Sequence, residues 1–187
     1  MIEEIKKIAE EEYDPKDFKY HIKAVVKNAL LLQEKLGGDK EVIEVSAYLH
    51  DIGKGKNREK KEMHEGHHIT GEKRAIEILK TLGADKDFIK KVAHCVLSHR
   101  GSKDPKPETL EAKIVNNADA MAHFDAFPEL LKHFLETSEF ENSILKISEK
   151  IDRDWDVKLS LPKAREIIKP KYLAAKLLID SMKEYIV

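Results

Sequence analysis

Apolar residues recur three and four positions apart along almost the whole chain, and no run alternates apolar and polar positions as a half-buried strand does. The pattern predicts an all-α fold. A first helix is expected over about Ile2 to Glu12; "DPKD" then opens a second, with Pro15 in its first turn and Gly37-Gly38 closing it. A third runs from about Lys40 to Ile52 and stops at Gly53, and the polar stretch "KGKNREKKEMHEG" reads as a long basic loop. A fourth spans roughly Gly66 to Leu82, a fifth about Lys86 to His99, ended by Gly101, and a sixth covers "ETLEAKIVNNADAMAHF". Pro128, Pro162 and Pro170 punctuate the remainder into three or four further helices. With no internal repeat and no linker, one domain over 1–187 is expected, its motif-bearing core at about 18–127 and the helices of 128–187 packed on it.

These helices carry polar residues where apolar ones belong. His99 follows Val92 and Val96 on a core-facing stripe, and Asp119 follows Ala112 and Val115 in the same way. A bare buried carboxylate is costly, and a bound metal removes that cost. Imidazoles and carboxylates occur one set per helix: His21 in the second, His50 and Asp51 at the end of the third, His67 or His68 in the fourth, His99 in the fifth and Asp119 in the sixth. Consecutive helices that each contribute such a group can gather ligands at the centre of a bundle. The mixture suits divalent Mn, Fe, Co, Ni or Zn, with Mg possible. His94 reads as a surface residue, and His64 and His123 as solvated or supporting ones.

His21, the pair in "LHDIGKGK", "HHITGEKRA", "VLSHRG" and "PETLEAKIVNNADAMAH" together resemble the successive motifs of the HD superfamily of metal-dependent phosphohydrolases, in the variety carrying HDIG. The resemblance implies an HD-domain helical bundle with His21, His50, Asp51 and Asp119 as the core metal site. It implies that His67 and His99 serve a second ion, with Asp51 bridging the two, and that Lys54 contacts a substrate phosphate. His68 stays a fallback for His67, because helical phase does not separate neighbours. The implied reaction is hydrolysis of a nucleotide or small phosphate ester by a metal-activated hydroxide, with Asp51 and Lys54 in catalytic roles. Lys54 and Arg100 are placed to hold phosphate oxygens, and Lys56, Arg58, Lys60 and Lys61 to attract an anion.

Three other readings remain. "HEGHH" satisfies H-E-x-x-H through His64, Glu65 and His68, a zinc-peptidase motif that needs an unbroken helix where a loop is expected. A di-iron oxygenase can use the same cage. So can a regulatory module that binds a nucleotide without catalysis.

Composition narrows the setting. Hydrophobic residues make up 41% and charged residues 37%, yet the net charge is only −1, so global charge gives no nucleic-acid signal. No apolar run is long enough for a membrane span. Cys95 is the single cysteine, which excludes an intrachain disulfide, and "MIEEIKKIAEEEYD" has no apolar secretory core; a cytoplasmic protein, monomer or homodimer, is expected.

Overall fold

The structure, a computed structural model, describes residues 1–55, 61–101 and 104–186, with only the backbone of 61–65. It is all-α, with no strand among the described residues. The helices are α1 (Ile2–Glu12), α2 (Pro15–Asp17), α3 (Lys23–Leu36), α4 (Lys40–Leu49), α5 (Lys61–Thr81), α6 (Lys86–Ser98), α7 (Leu110–Asp125), α8 (Phe127–Thr137), α9 (Phe140–Arg153) and α10 (Pro162–Ile186). Two π-helical turns, Phe18–Ile22 and Asp154–Lys158, and a 3-10 turn, Ile52–Lys54, join some of them. Local chemistry sets several starts. The Asp39 side chain accepts from the backbone of Glu41 and Val42, Asp85 from Asp87 and Phe88, and Thr109 from Ala112, satisfying N–H groups that have no partner inside a helix.

Helix α7 is the axis of the fold: Ile114, Val115, Ala118 and Met121 are fully buried, and α3, α4, α6 and α10 all pack on it. Val25, Ala29 and Leu32 of α3 form a stripe at helical spacing against it. Helix α1 covers α4, and its end does more than fill space. The Tyr13 hydroxyl donates to the Tyr48 carbonyl at 3.0 Å and accepts from the Asp51 backbone N–H at 3.2 Å, which holds the turn after α4.

Pro170, expected to separate helices, lies inside α10, and two boundaries near the candidate site also differ from the sequence expectation. The third predicted helix ends at Leu49, not Ile52, and Asp51 leaves helical geometry at φ −106°, ψ 11°. The His50-Asp51 pair therefore caps a turn and does not ride on a helix. The expected basic loop is also shorter: α5 begins at Lys61, not Gly66, and runs through Gly66 without a break. Helix propagates cheaply from an already packed segment, and a single glycine costs only about 1 kcal/mol. The ground for rejecting H-E-x-x-H is thereby removed, although the side chains of His64 and Glu65 lie outside the described residues, as do Lys56, Arg58 and Lys60 and the side chain of Lys61.

Gly53 decides how α5 sits. A Cβ there would lie 2.2 Å from the His67 carbonyl oxygen and 2.5 Å from the Gly71 nitrogen, so only glycine allows the two backbones to touch. That approach delivers His67 to Asp51.

Candidate metal centre

His21 comes from a π-helical turn, His50 and Asp51 from the turn after α4, His67 from α5, His99 from the end of α6 and Asp119 from the middle of α7. The fold brings all six together. His50 and His99 are each held by their own backbone: Nδ1 donates to the Ala47 carbonyl at 2.9 Å and to the Val96 carbonyl at 2.6 Å, respectively. Each ring therefore turns an Nε2 lone pair inward. At the end of α6, Asn116 donates to the His99 carbonyl at 2.7 Å, and Gly101 at φ 59° leaves room for that amide.

Asp51 faces two ways. Its Oδ2 lies 3.6 Å from His21 Nε2 and 3.4 Å from His50 Nε2, while its Oδ1 lies 3.2 Å from His67 Nε2 and 3.3 Å from His99 Nε2. Asp119 Oδ1 closes the first half at 3.3 Å from His21. Three overlapping groups of potential ligand atoms result: His21, His50 and Asp51; Asp51, His67 and His99; and His21, Asp119 and His123.

The donor set fits a divalent cation. Asp51 Oδ1 is buried and has no hydrogen-bond partner, and His99 points a lone pair at it. Two electron-rich atoms 3.3 Å apart and buried could be bridged by a cation. Burial would raise the Asp51 carboxyl, but the Lys54 ammonium and His50 outweigh it and hold it well below the usual carboxylate range. Burial pushes the His99 ring down to about 4, leaving it neutral and able to coordinate. For His21 burial acts downward too, but Asp119 and Asp51 outweigh it and raise the ring.

His67 turns its Nε2 to Asp51, whereas His68, also buried, belongs to none of the candidate metal groups among the described residues. Lys54 ion-pairs with Asp51 Oδ2, and both Lys54 and Arg100 line a cavity of about 700 Å³ that opens over the centre. The reading of His123 as solvated or supporting needs correction in one respect: its side chain is only 17% exposed, stacks on His21 at 5.1 Å and lies 3.7 Å from Asp119. It stands four residues after Asp119 on α7, one turn along the same face, and that spacing was the available signal.

A further set of charges carries no motif. Lys158 ion-pairs with Asp119 Oδ2, Asp154 accepts from His123 Nδ1 at 2.9 Å, and Lys150 donates to Asp154 at 3.0 Å. The segment that presents Lys158 is tied to α7 by Asn117, which donates to Ser160 Oγ and accepts from the Leu161 backbone, both at 3.0 Å. Burial opposes the Lys158 charge, but Asp119 outweighs it and raises the ammonium. Burial also pushes His123 down to about 4, and Lys150 adds to the effect.

A family profile described as the HD domain matches residues 18–123, the span that holds every predicted ligand. The chain belongs to the HD domain family. A curated relative, Ribonuclease Y of Alkaliphilus metalliredigens (strain QYMF), is 30% identical over 143 residues, which is 75% of this chain and 27% of that protein. The chain thus spans about a quarter of that relative's length. Bacillus subtilis YpgQ, solved in complex with ADP, superposes with a TM-score of 0.75 at 18% identity, covering 100% of this chain and 98% of YpgQ. The Lin1889 protein of Listeria innocua gives 0.71 at 22% identity, covering 100% and 97%. The HD domain of the L. monocytogenes phosphodiesterase PgpH gives 0.53 at 19% identity, covering 91% and 95%. The HD-domain helical fold therefore extends well beyond the matched motifs.

Proposed function

We propose that this HD-domain protein is a metal-dependent phosphohydrolase acting on a nucleotide or small phosphate ester. The observation that carries the reading is Asp51, whose two carboxylate oxygens each face a separate pair of imidazoles. His21, His50, Asp51 and Asp119 would hold one ion, and Asp51, His67 and His99 the other. When bound, two divalent ions supply hydroxide at neutral pH and neutralise charge on a phosphoryl group.

The chain's own residues have complementary tasks. Asp51 orients both halves of the centre. Lys54 and Arg100 hold phosphate oxygens, the first as a compact point charge and the second as a planar fork. Tyr20, Leu130 and Phe134 line the cavity with apolar surface suited to a nucleoside. No protein nucleophile is required: water adds to phosphorus, the P–O bond breaks, and the leaving oxygen takes the proton. The ADP held by YpgQ supports a nucleotide as the occupant.

The test is phosphate release from nucleotides and phosphate esters with Mn, Co, Ni, Mg or Zn, comparing the natural protein with Asp51→Ala. Turnover that needs metal and disappears in the variant supports the proposal. Silence across the panel with metal bound would shift weight to an oxygenase or a non-catalytic nucleotide-binding module.

A further inference from the structure

We propose that Lys150 and Arg153, on the last turn of α9, form a second anion clamp across the metal centre from Lys54, so that the cavity takes an organic diphosphate or triphosphate in preference to a monophosphate. Both residues lie beyond the span matched by the family profile.

Contacts order the charges along the cavity. Lys54 pairs with Asp51, His21 touches both Asp51 and Asp119, His123 touches Asp119 and Asp154, and Asp154 pairs with Lys150. Lys54 and Lys150 thus stand at the two ends of this series of contacts through the ligand cluster. Both line the same cavity as the candidate ligands.

The individual groups suit this role. Arg153 lines the cavity and makes no ion pair among the described residues, so its guanidinium is available to an anion. Lys150 is only 18% exposed and partly neutralised by Asp154, and its position is set by that pair. A cation held in place before binding loses little freedom when a phosphate arrives. Asp119 and Asp154 are matched by Lys158 and Lys150, so the net positive charge on this side comes from Arg153, with Lys150 adding hydrogen-bond donors. With divalent ions on the inner carboxylates, the whole wall becomes strongly cationic, a setting for linked phosphates. A monophosphate seated at the metal centre would reach one pole and leave the other unused.

The substrate class rests on the phosphohydrolase reading, but the clamp is read by binding alone. Calorimetry on the Mn-loaded protein compares AMP, ADP and pyrophosphate with the natural protein, Arg153→Ala, Lys150→Met and the control Lys146→Ala, which lies on the same helix outside the cavity. Arg153→Ala should weaken ADP and pyrophosphate by roughly tenfold and AMP by less than about threefold, with Lys150→Met in the same direction and Lys146→Ala without effect. Arg153 is exposed, so its variant keeps the test valid if Lys150→Met fails to fold. Equal loss for AMP and ADP, no loss, or no binding of either nucleotide would overturn the clamp. Discrimination by Arg153 without phosphate release would retain the clamp and overturn the hydrolase, whereas turnover without discrimination would do the reverse.

Discussion

The two walls of the cavity are built differently. The wall from residues 18–123 holds imidazoles and one two-faced carboxylate that is only partly satisfied: Lys54 pairs with Asp51 Oδ2, while Oδ1 has no hydrogen-bond partner. The wall from α9 and the turn after it is a network of paired charges, with Lys158 on Asp119 and Lys150 on Asp154. The first wall could take a cation, and the second is already compensated by its own ion pairs. On the proposed function, the C-terminal segment fixes Asp119 and His123 in place and meets the phosphates, while the motif wall would carry the chemistry.

The largest expected effect tests the motif wall. Asp51→Ala should reduce metal-dependent turnover by on the order of 1000-fold and remove metal binding, with helical content by circular dichroism unchanged. Full activity in that variant would defeat the assignment. Next comes Lys158→Met, which takes the ammonium away from buried Asp119; it should cost the metal-free protein about 3 kcal/mol, read by urea denaturation. Mn should then raise the melting temperature of the variant more than that of the natural protein, because a cation at Asp119 replaces the missing charge. An equal rise in both would break the distinction between the walls.

Gly53→Ala should cost about 2 kcal/mol, since the new methyl meets backbone at His67 and Gly71 that cannot move without shifting α5. It should also weaken metal binding, because His67 moves with that helix. The smallest effect per ring and per pH unit is the pH dependence of chelator-treated protein. His99 and His123 are pushed from 6.5 down to about 4, so between those values the unfolded rings bind protons that the folded rings do not. Stability is therefore lost as pH falls from about 6.5 toward 4, by on the order of 1 kcal/mol per ring for the first unit. His21, raised in the fold, acts in the opposite sense: its contribution is present below pH 6.5 and is lost as pH rises through its folded value. His123→Gln should remove about half the acid-side slope in melting temperature; an unchanged slope would place that ring's titration elsewhere.

Much was legible in the chain because its signals are local. Helical spacing announces the elements, and His21, His50-Asp51, His67, His99 and Asp119 appear in order, one set to an element. Element ends were less legible: the turn at Asp51 depends on the Tyr13 hydroxyl, a contact 38 residues away. The sequence by itself determined an all-α chain carrying a set of candidate metal ligands. Tertiary structure alone decided that His67 and not His68 meets Asp51, because the Gly53–Gly71 backbone contact sets the rotation of α5. It also decided that Lys150, Asp154 and Lys158 join the site. Their partners lie up to 39 residues away, and charges that meet only through packing leave no period in the sequence.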